Sequence, residues 1–421
     1  MSAERVGDGE GRPVRRLADW DADRLRDLAA EHGTPLYVTD VDRVRENCRR
    51  LLASFPDADV RYATKAHTGR AVLAAVREAG IDAECASAGE VRRALDAGFR
   101  GERVDYTAVN PPARDLDPVV EWWGDHPGLT VTVGARDTLD RLAERGFDGR
   151  VCVRVNPGVG AGHHEKVTTG GAPKFGVPLD RAAALVAAAR ERFDVVGLHA
   201  HAGSGIRDEA DLAAHRDLVA RLGELARTAG ELEYVNVGGG LGVPYREDER
   251  ALDLDAVADA TREALGDVDA ALAIEPGRYL VADASVLLTA VNTAKPTPEV
   301  TVAGVDAGMT DLLRPAMYDA HHAIRNLDAE AAGDRARDAG PVTVAGPVCE
   351  TGDAFCDARE LPIPERGDLL AVGNAGAYGY EMASTYNSRP RPAEVSVDGD
   401  VLRERESLAG VTRLERGGTD E

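Results

Sequence analysis

Alternation of strand-like and helix-like segments limits the fold of this chain more than any other feature. Between about residues 58 and 275, eight short β-rich runs alternate with segments of helical period, several of which end in glycine. Eight such units predict a parallel (β/α)8 barrel. The predicted strands are VRYATK (60–65), DAECAS (82–87), RVDYTAV (103–109), LTVTVG (129–134), VCVRVN (151–156), VVGLHAH (195–201), EYVNVGG (233–239) and ALAIEP (271–276).

An open, doubly wound sheet is the alternative architecture, but no G-x-G-x-x-G opens a helix after an early strand. After residue 276, strand-like runs with little helical period predict a second, all-β domain, a sandwich or barrel, with residues 314–340 as a loop excursion. The strand-like PLYVTD (35–40) is expected to join this domain. The predicted division is therefore an N-terminal segment (1–42), a barrel (43–276) and a C-terminal β domain (277–421).

The charge balance excludes several classes of partner. The formal net charge is −23, which opposes binding to nucleic acid or to an anionic membrane. Only four lysines occur, so arginine supplies nearly all the positive charge. An acidic surface with few lysines favours a halophilic protein working in high salt, where self-repulsion is screened. GC-rich codon usage alone would also explain the bias from lysine to arginine.

Cysteine usage and the N-terminus indicate a cytoplasmic protein. The five cysteines have no CxxC or metal-ligand spacing, and an odd count without an apolar leader favours reduced thiols and no metal site. No apolar run reaches the roughly eighteen residues that a membrane-spanning helix needs.

Barrel enzymes place catalytic groups where the strands end, at the C-terminal face. The first predicted strand ends in Lys65, and desolvation of a lysine there is costly unless the charge is paired or removed. One interpretation is an amine with a lowered pKa that forms a Schiff base. The other is a rim lysine whose head extends to solvent.

Three further strand ends carry polar or glycine-rich segments. GLHAHAGSG (197–205) offers an imidazole that could stack on an aromatic ligand, and a turn whose N–H groups could bind an anion. The alternative is a structural histidine followed by a tight turn. Gly238, Gly239 and Gly240 permit close approach of a phosphate, although flexible loops also contain such runs. EPGR (275–278) brings a carboxylate and a guanidinium to the barrel mouth, either for a ligand or as a salt bridge. A ligand with an aldehyde, an aromatic ring and a phosphate satisfies all four strand ends, and pyridoxal phosphate has all three groups.

These residues resemble the barrel pyridoxal-phosphate decarboxylases related to alanine racemase, and among them the diaminopimelate decarboxylase family. The resemblance extends from about residue 30 to 400. It rests on YATKA (62–66), ASAGE (86–90), RVNPG (154–158), TTGGAPKFG (168–176), GLHAHAGSG (197–205), VGGGLG (237–242), EPGR (275–278), RPAMYDAHH (314–322), CETGD (349–353) and GNAGAYG (373–379).

The resemblance implies a Schiff base on Lys65, a stacking His201, a Glu275 paired with the ring nitrogen, and a homodimer in which Cys349 and Glu350 come from the neighbouring subunit. Cys349 is then the proton donor, although a cysteine in a strand is more simply a buried one. The implied cofactor contacts are Lys65, His201, Ser204, Gly238, Gly239, Gly240, Glu275, Pro276, Gly277, Arg278 and Tyr378. Departures from the family pattern are His67 in place of the usual Asn, and Ala200 and Ala202 in place of bulkier neighbours of His201.

The choice of substrate follows from charge. Diaminopimelate carries a distal carboxylate and a distal amine, whereas ornithine carries only the amine, so an extra arginine and an acid favour the former. Arg314 is the extra arginine, unless it is a surface residue in a loop. The residues at the family's substrate positions are Arg278, Arg314, Tyr318, Glu350 and Tyr378.

The expected reaction is decarboxylation of meso-2,6-diaminopimelate to L-lysine, the last step of lysine biosynthesis. A decarboxylase of ornithine, arginine or carboxynorspermidine and a non-catalytic homologue that holds the cofactor remain alternatives. A racemase fits less well, because that chemistry favours an arginine at the ring nitrogen, where this chain has Glu275.

Overall fold

Eight parallel strands form the larger unit of the protein, for which a computed structural model describes residues 13–159, 174–331 and 337–416. These strands are β2 (Ala58–Ala63), β3 (Asp82–Cys85), β4 (Val104–Tyr106), β5 (Thr130–Val133), β6 (Arg150–Asn156), β8 (Asp194–His199), β9 (Tyr234–Asn236) and β10 (Ala271–Ile274), and a short β7 (Val177–Pro178) extends β6. They close into a barrel, because β5 pairs with both β4 and β6 in the order β5-β4-β3-β2-β10-β9-β8-β6. This closure confirms the predicted (β/α)8 barrel.

Helices surround the barrel and bury one face against it. They are α2 (Val41–Ser54), α3 (Arg70–Glu78), α4 (Ala88–Asp96), α5 (Ala113–Asp125), α6 (Arg136–Ala143), α7 (Leu179–Arg190), α8 (Glu209–Ala226), α9 (Leu254–Leu265) and α10 (Arg278–Val281). An earlier helix, α1 (Ala22–His32), lies outside this ring and buries Leu25 and Leu28 in a separate hydrophobic cluster with Leu36 and Val286. In α3, for example, Val72, Leu73 and Val76 are buried while the opposite face is more exposed. The turn after α3 uses Gly80 at a φ of 87°.

A second, mixed sheet forms the β domain and confirms the predicted fold class. Its strands are β1 (Leu36–Thr39), β11 (Ser285–Pro296), β12 (Thr301–Val305), β13 (Ile324–Asn326), β14 (Ala339–Ala345), β15 (Ala354–Pro362), β16 (Leu369–Val372), β17 (Ala393–Ser396) and β18 (Val401–Arg403). Strand β1, which precedes the barrel in the chain, lies in this sheet between β11 and β17.

The segment predicted as a loop excursion carries regular structure. It contains α11 (Arg314–Tyr318), β13 and α12 (Leu327–Ala331), and β13 pairs with β16. The sequence pattern does not reveal these elements, because each is only three to five residues long and too short to show a period. A last helix, α13 (Leu408–Thr412), follows β18.

Barrel strands end earlier than predicted at the mouth. Strand β2 ends at Ala63, so Lys65 lies in a 3-10 turn (Thr64–Ala66), and β8 ends at His199, two residues before His201. The difference matters because side chains in these turns point into the mouth without the strict alternation of a strand.

The helices of the described ranges include none with the length and hydrophobicity that a membrane span requires.

Candidate active site

A cavity of about 360 Å³ opens at the C-terminal ends of the barrel strands. This size and position match the ligand sites of barrel proteins. Of the predicted site residues, it is lined by Lys65, His201, Ser204, Gly240, Glu275, Gly277, Arg278 and Tyr378. Other predicted residues lie beside it: the carbonyl of Pro276 accepts a hydrogen bond from the Ala63 amide, which joins β10 to β2.

Lys65 is paired with a carboxylate that the sequence did not single out. Its Nζ lies 2.7 Å from Oε2 of Glu84, at the end of the neighbouring strand β3. Burial alone would lower the pKa of Lys65, but the negative charge of Glu84 raises it above its ordinary value. The interpretation of Lys65 as an amine with a lowered pKa is therefore wrong, because the lysine forms an ion pair. Burial raises the pKa of Glu84 to about 7, against the opposing effect of Lys65.

Both carboxylate oxygens of Glu275 are held by hydrogen bonds. Nε2 of His199 lies 3.0 Å from Oε2 of Glu275, and the Asn236 amide donates to Oε1 at 2.8 Å. Burial alone would raise the pKa of Glu275, but His199 and Lys65 lower it well below its ordinary value. Burial lowers the pKa of His199, and its buried Nδ1 has no partner among the described residues. The histidine is therefore neutral and donates through Nε2, and Glu275 is ionised.

His201 and the glycine loop form one wall of the cavity. The Gly239 amide donates to Nδ1 of His201 at 3.2 Å, which leaves the imidazole neutral, and burial lowers its pKa to about 3. The backbone of Gly238 has a φ of 74°, and a Cβ at Gly239 would overlap the carbonyl of Glu275. The glycines are therefore required by close packing at the mouth, as well as offering amides to an anion.

Arg154 is a second residue that the sequence did not single out as functional. The residue lines the cavity, is 8% exposed, and forms no ion pair or hydrogen bond with a residue in the described part of the chain. The ring of Phe175 lies 5.1 Å from its Cζ. An uncompensated buried guanidinium favours an anionic ligand.

Arg278 and Arg314 converge on the hydroxyl of Tyr245. Nη1 of Arg278 donates to this oxygen at 2.8 Å, and Nη1 of Arg314 donates to it at 3.1 Å. Nη2 of Arg278 also donates to Ser204 Oγ at 3.2 Å. Both arginines line an adjoining pocket of about 240 Å³, together with Tyr318. No ion pair within the described ranges neutralises either guanidinium.

Known proteins share this architecture and much of the sequence. Residues 41–282 match the family described as "Pyridoxal-dependent decarboxylase, pyridoxal binding domain". The diaminopimelate decarboxylase of Methanothermobacter thermautotrophicus is 44% identical over 92% of this chain and 92% of its own length. That of Streptomyces coelicolor is 38% identical over 92% and 91%. The chain belongs to the diaminopimelate decarboxylase family.

Solved structures of the diaminopimelate decarboxylase family have a similar fold. The Helicobacter pylori enzyme, crystallised with L-lysine, has a TM-score of 0.83 and 31% identity over 93% of this chain and 98% of its own. Membership confirms the predicted class of enzyme, a pyridoxal-phosphate-dependent carboxy-lyase, and its cofactor.

The cavity fits that cofactor by its chemistry. Lys65 offers an amine for the aldehyde, and the ionised Glu275 offers an acceptor for a protonated ring nitrogen. The guanidinium of Arg154, which pairs with no carboxylate among the described residues, and the glycine-lined wall suit a ligand that carries anionic groups. The residues present therefore fit pyridoxal phosphate.

Cys349 and Glu350 lie outside the cavity of their own chain. Both are exposed in the turn between β14 and β15, where Tyr386 donates a hydrogen bond to Glu350 and the Asn387 amide lies 3.6 Å from Cys349 Sγ. Residues 168–173 of the motif TTGGAPKFG lie outside the described residues. Among the described residues, no group of three or more His, Cys, Asp or Glu side chains is arranged to hold a metal ion.

Proposed function

We propose that this protein decarboxylates meso-2,6-diaminopimelate to L-lysine and CO2, as the last step of lysine biosynthesis. The observation that carries the choice of substrate is the pair of buried guanidinium groups on Arg278 and Arg314, which have no carboxylate partner in the described part of the chain. A diamine-forming site for ornithine would leave these two groups without a distal carboxylate, and Arg314, which is not among the expected cofactor contacts, would stay uncompensated at a cost of several kcal/mol. A substrate with a distal carboxylate compensates them.

The residues of the barrel would hold the cofactor and tune it. Lys65 would bind its aldehyde, His201 would lie against its ring, and Glu275 would accept a hydrogen bond from its ring nitrogen. The phosphate would be bound by the loops around Ser204 and Gly240. Bound pyridoxal phosphate supplies an electron sink for the electron pair that remains when CO2 leaves.

Residues of both domains would bind the far end of the substrate. Arg314 and Arg278 would bind the distal carboxylate, with Tyr318 beside them in the same pocket. Glu350 would face the distal ammonium group. Tyr378 lines the main cavity, and its ring centre lies 4.9 Å from the guanidinium carbon of Arg278. From this position it would contact both the cofactor and the substrate.

A homodimer would complete the site. Cys349 and Glu350 are exposed and line neither pocket of their own chain, so a second copy would deliver them. The thiol of Cys349 would then donate a proton to the carbon that has lost CO2. Mixing an inactive Lys65→Ala chain with an inactive Cys349→Ala chain would restore about a quarter of the activity, because only mixed dimers contain one intact site. Failure of complementation would refute the shared site.

The decisive test of the reaction is the release of CO2 from meso-diaminopimelate by the purified, cofactor-loaded protein. L-ornithine, L-arginine and carboxynorspermidine are the competing substrates, and Lys65→Ala is the inactive control. Lys295→Ala, which changes an exposed lysine at the end of β11, is the matched active control. Turnover of a competitor in preference to meso-diaminopimelate would refute the proposed substrate.

We also propose a cytoplasmic setting of high salt concentration, which the thiols and the charge of the protein support. All five cysteines are free thiols, which suits the reducing cytoplasm. The net charge of −23 suits a cytoplasm of high salt concentration.

A further inference from the structure

Arg314 is held by two residues that the proposed function leaves without a role. Its Nη1 carries two hydrogens, one directed to Tyr245 at 3.1 Å and the other to Nε2 of His322 at 2.8 Å. Its Nε and Nη2 form no hydrogen bond with a described residue. The Nε–Nη2 edge is therefore the edge that remains for a ligand, and two parallel N–H groups match the two oxygens of a carboxylate.

His322 has a single possible proton arrangement. Its Nδ1 lies 2.8 Å from the carbonyl of Gly373, which only accepts, so Nδ1 carries the hydrogen. Its Nε2 faces a guanidinium, which only donates, so Nε2 carries none. Burial and the charge of Arg314 lower the pKa of His322 well below its ordinary value. The neutral imidazole thus acts as a fixed acceptor behind Arg314.

Tyr245 separates the two arginines and accepts from both. Its ring lies 4.9 Å from the guanidinium carbon of Arg314 and packs edge-on against His322, with ring centres 5.3 Å apart. Burial alone would raise the pKa of Tyr245, but the charges of Arg278 and Arg314 lower it. The backbone beside it is anchored, since Asn374 donates to the carbonyl of Pro244 at 2.8 Å.

These contacts join the two domains at one point. Tyr245 and Arg278 belong to the barrel, whereas Arg314, His322 and Gly373 belong to the β domain. We propose that Tyr245 and His322 are positioning residues that fix the open edge of Arg314 toward the distal carboxylate and so determine preference for substrates that carry one. This inference rests on the proposed function and deepens it.

The test compares two ligands that differ by one carboxylate. L-lysine carries the carboxylate that Arg314 would bind, and cadaverine has the same chain and amines without it. Each is titrated into the cofactor-loaded protein, and binding is followed by the change in cofactor absorbance. Tyr245→Phe and His322→Asn are expected to weaken L-lysine binding about tenfold or more, while cadaverine binding stays within about twofold of wild type.

A matched pair of substitutions at His322 separates positioning from folding. The amide of His322→Asn reaches the Gly373 carbonyl but not Arg314, whereas His322→Gln places an acceptor near the position of Nε2. We expect His322→Gln to retain L-lysine binding. Tyr106→Phe is the control for Tyr245→Phe, because the buried Tyr106 hydroxyl has no partner among the described residues. His215→Asn is the control for the histidine, since His215 bonds Thr261 between α8 and α9.

Three outcomes are decisive. Selective loss of L-lysine binding in Tyr245→Phe and His322→Asn, with rescue in His322→Gln, supports the inference. Equal effects on L-lysine and cadaverine, or no effect on either, overturn it. Because the titration reads binding and not turnover, selective loss in a protein that releases no CO2 from meso-diaminopimelate would support the inference while refuting the proposed reaction.

Discussion

Lys65 Nζ lies 2.7 Å from Glu84 Oε2, at the ends of adjacent barrel strands. The Glu84 side chain is buried, so the ion pair stabilises the ammonium form of the amine that must lose a proton to react with an aldehyde. We therefore expect the pair to slow the reaction of Lys65 with the cofactor.

Glu84→Gln should load cofactor faster at neutral pH than wild type. Without the anionic partner, burial lowers the pKa of Lys65 and increases the fraction of free amine. Below the lysine pKa, the wild-type loading rate should rise about tenfold per pH unit, and the variant should reach its plateau at lower pH. Stopped-flow absorbance of pyridoxal phosphate added to apoprotein measures both rates. Glu90→Gln is the control, because Glu90 bonds Thr64 and not Lys65. Identical pH profiles in Glu84→Gln and wild type would contradict this role.

His199 should control the protonation of Glu275. Loss of its hydrogen bond to Oε2 removes stabilisation of the carboxylate and raises the pKa of Glu275. The acidic limb of the kcat/KM profile of His199→Asn should therefore move toward neutral pH, while His199→Gln, which still donates from the Nε2 position, should stay close to wild type. Glu275→Gln should lower kcat by about 10²-fold or more. An unmoved acidic limb in His199→Asn would show that the bond does not tune Glu275.

Several residues of the candidate site were predictable, because the topology of the barrel brings them to one cavity. In a parallel barrel every strand ends at the same mouth, so Lys65, His201, Gly240 and Glu275 converge although they are far apart in the chain. Motifs at strand ends therefore identify part of the cavity lining, whereas Glu84 and Arg154, which also line it, were not singled out.

The partners of these residues were not predictable, because each pairing depends on tertiary contact. Glu84 is on a neighbouring strand. Tyr245 accepts a hydrogen bond from Arg314, which lies 69 residues later in the chain and in the other domain. The sequence of β3 gives no sign that Glu84 faces Lys65, since alternation does not say which face holds the site. In the sequence, His67 stands out only as a departure from a family pattern, whereas in the fold it pairs with Glu394 in β17.

Glu394 should make the protein sensitive to acid. Its Oε1 lies 2.8 Å from His67 Nε2, and its Oε2 lies 3.2 Å from Arg403 Nε. Burial alone would raise the pKa of Glu394, but these partners lower it to about 2 in the folded protein. The unfolded value is about 4.3, so the stabilisation, about 3 kcal/mol, is present above pH ~4.3 and is lost as the pH falls toward 2.

Urea unfolding between pH 6 and pH 3 measures this dependence. Glu394→Gln should be less stable than wild type at pH 6 and should lose less stability on acidification. Glu360→Gln changes an exposed carboxylate with no ion pair in the described part of the chain, so it should follow the wild-type curve. Parallel curves for Glu394→Gln and wild type would refute the linkage.

Added salt should stabilise this protein. With a net charge of −23, repulsion among exposed carboxylates opposes the compact state, and screening shortens its range from about 14 Å at 0.05 M to about 4 Å at 0.5 M ionic strength. If instead the many surface arginine–carboxylate pairs dominated, screening would weaken attraction and destabilise the protein. The sign of the salt effect on the urea midpoint between 0.05 M and 0.5 M NaCl therefore decides between repulsion and pairing.

A charge-reduced variant provides the matched control for this salt effect. Glu121, Asp125, Glu144 and Asp148 are exposed and form no ion pair with a described residue. Their joint replacement by Gln and Asn removes four negative charges from one side of the barrel and leaves every described ion pair in place. The variant should be more stable than wild type at low salt, and its stability should rise less steeply with salt. An equal or steeper rise in the variant would show that salt acts through something other than charge repulsion, and the high-salt cytoplasm would lose its support.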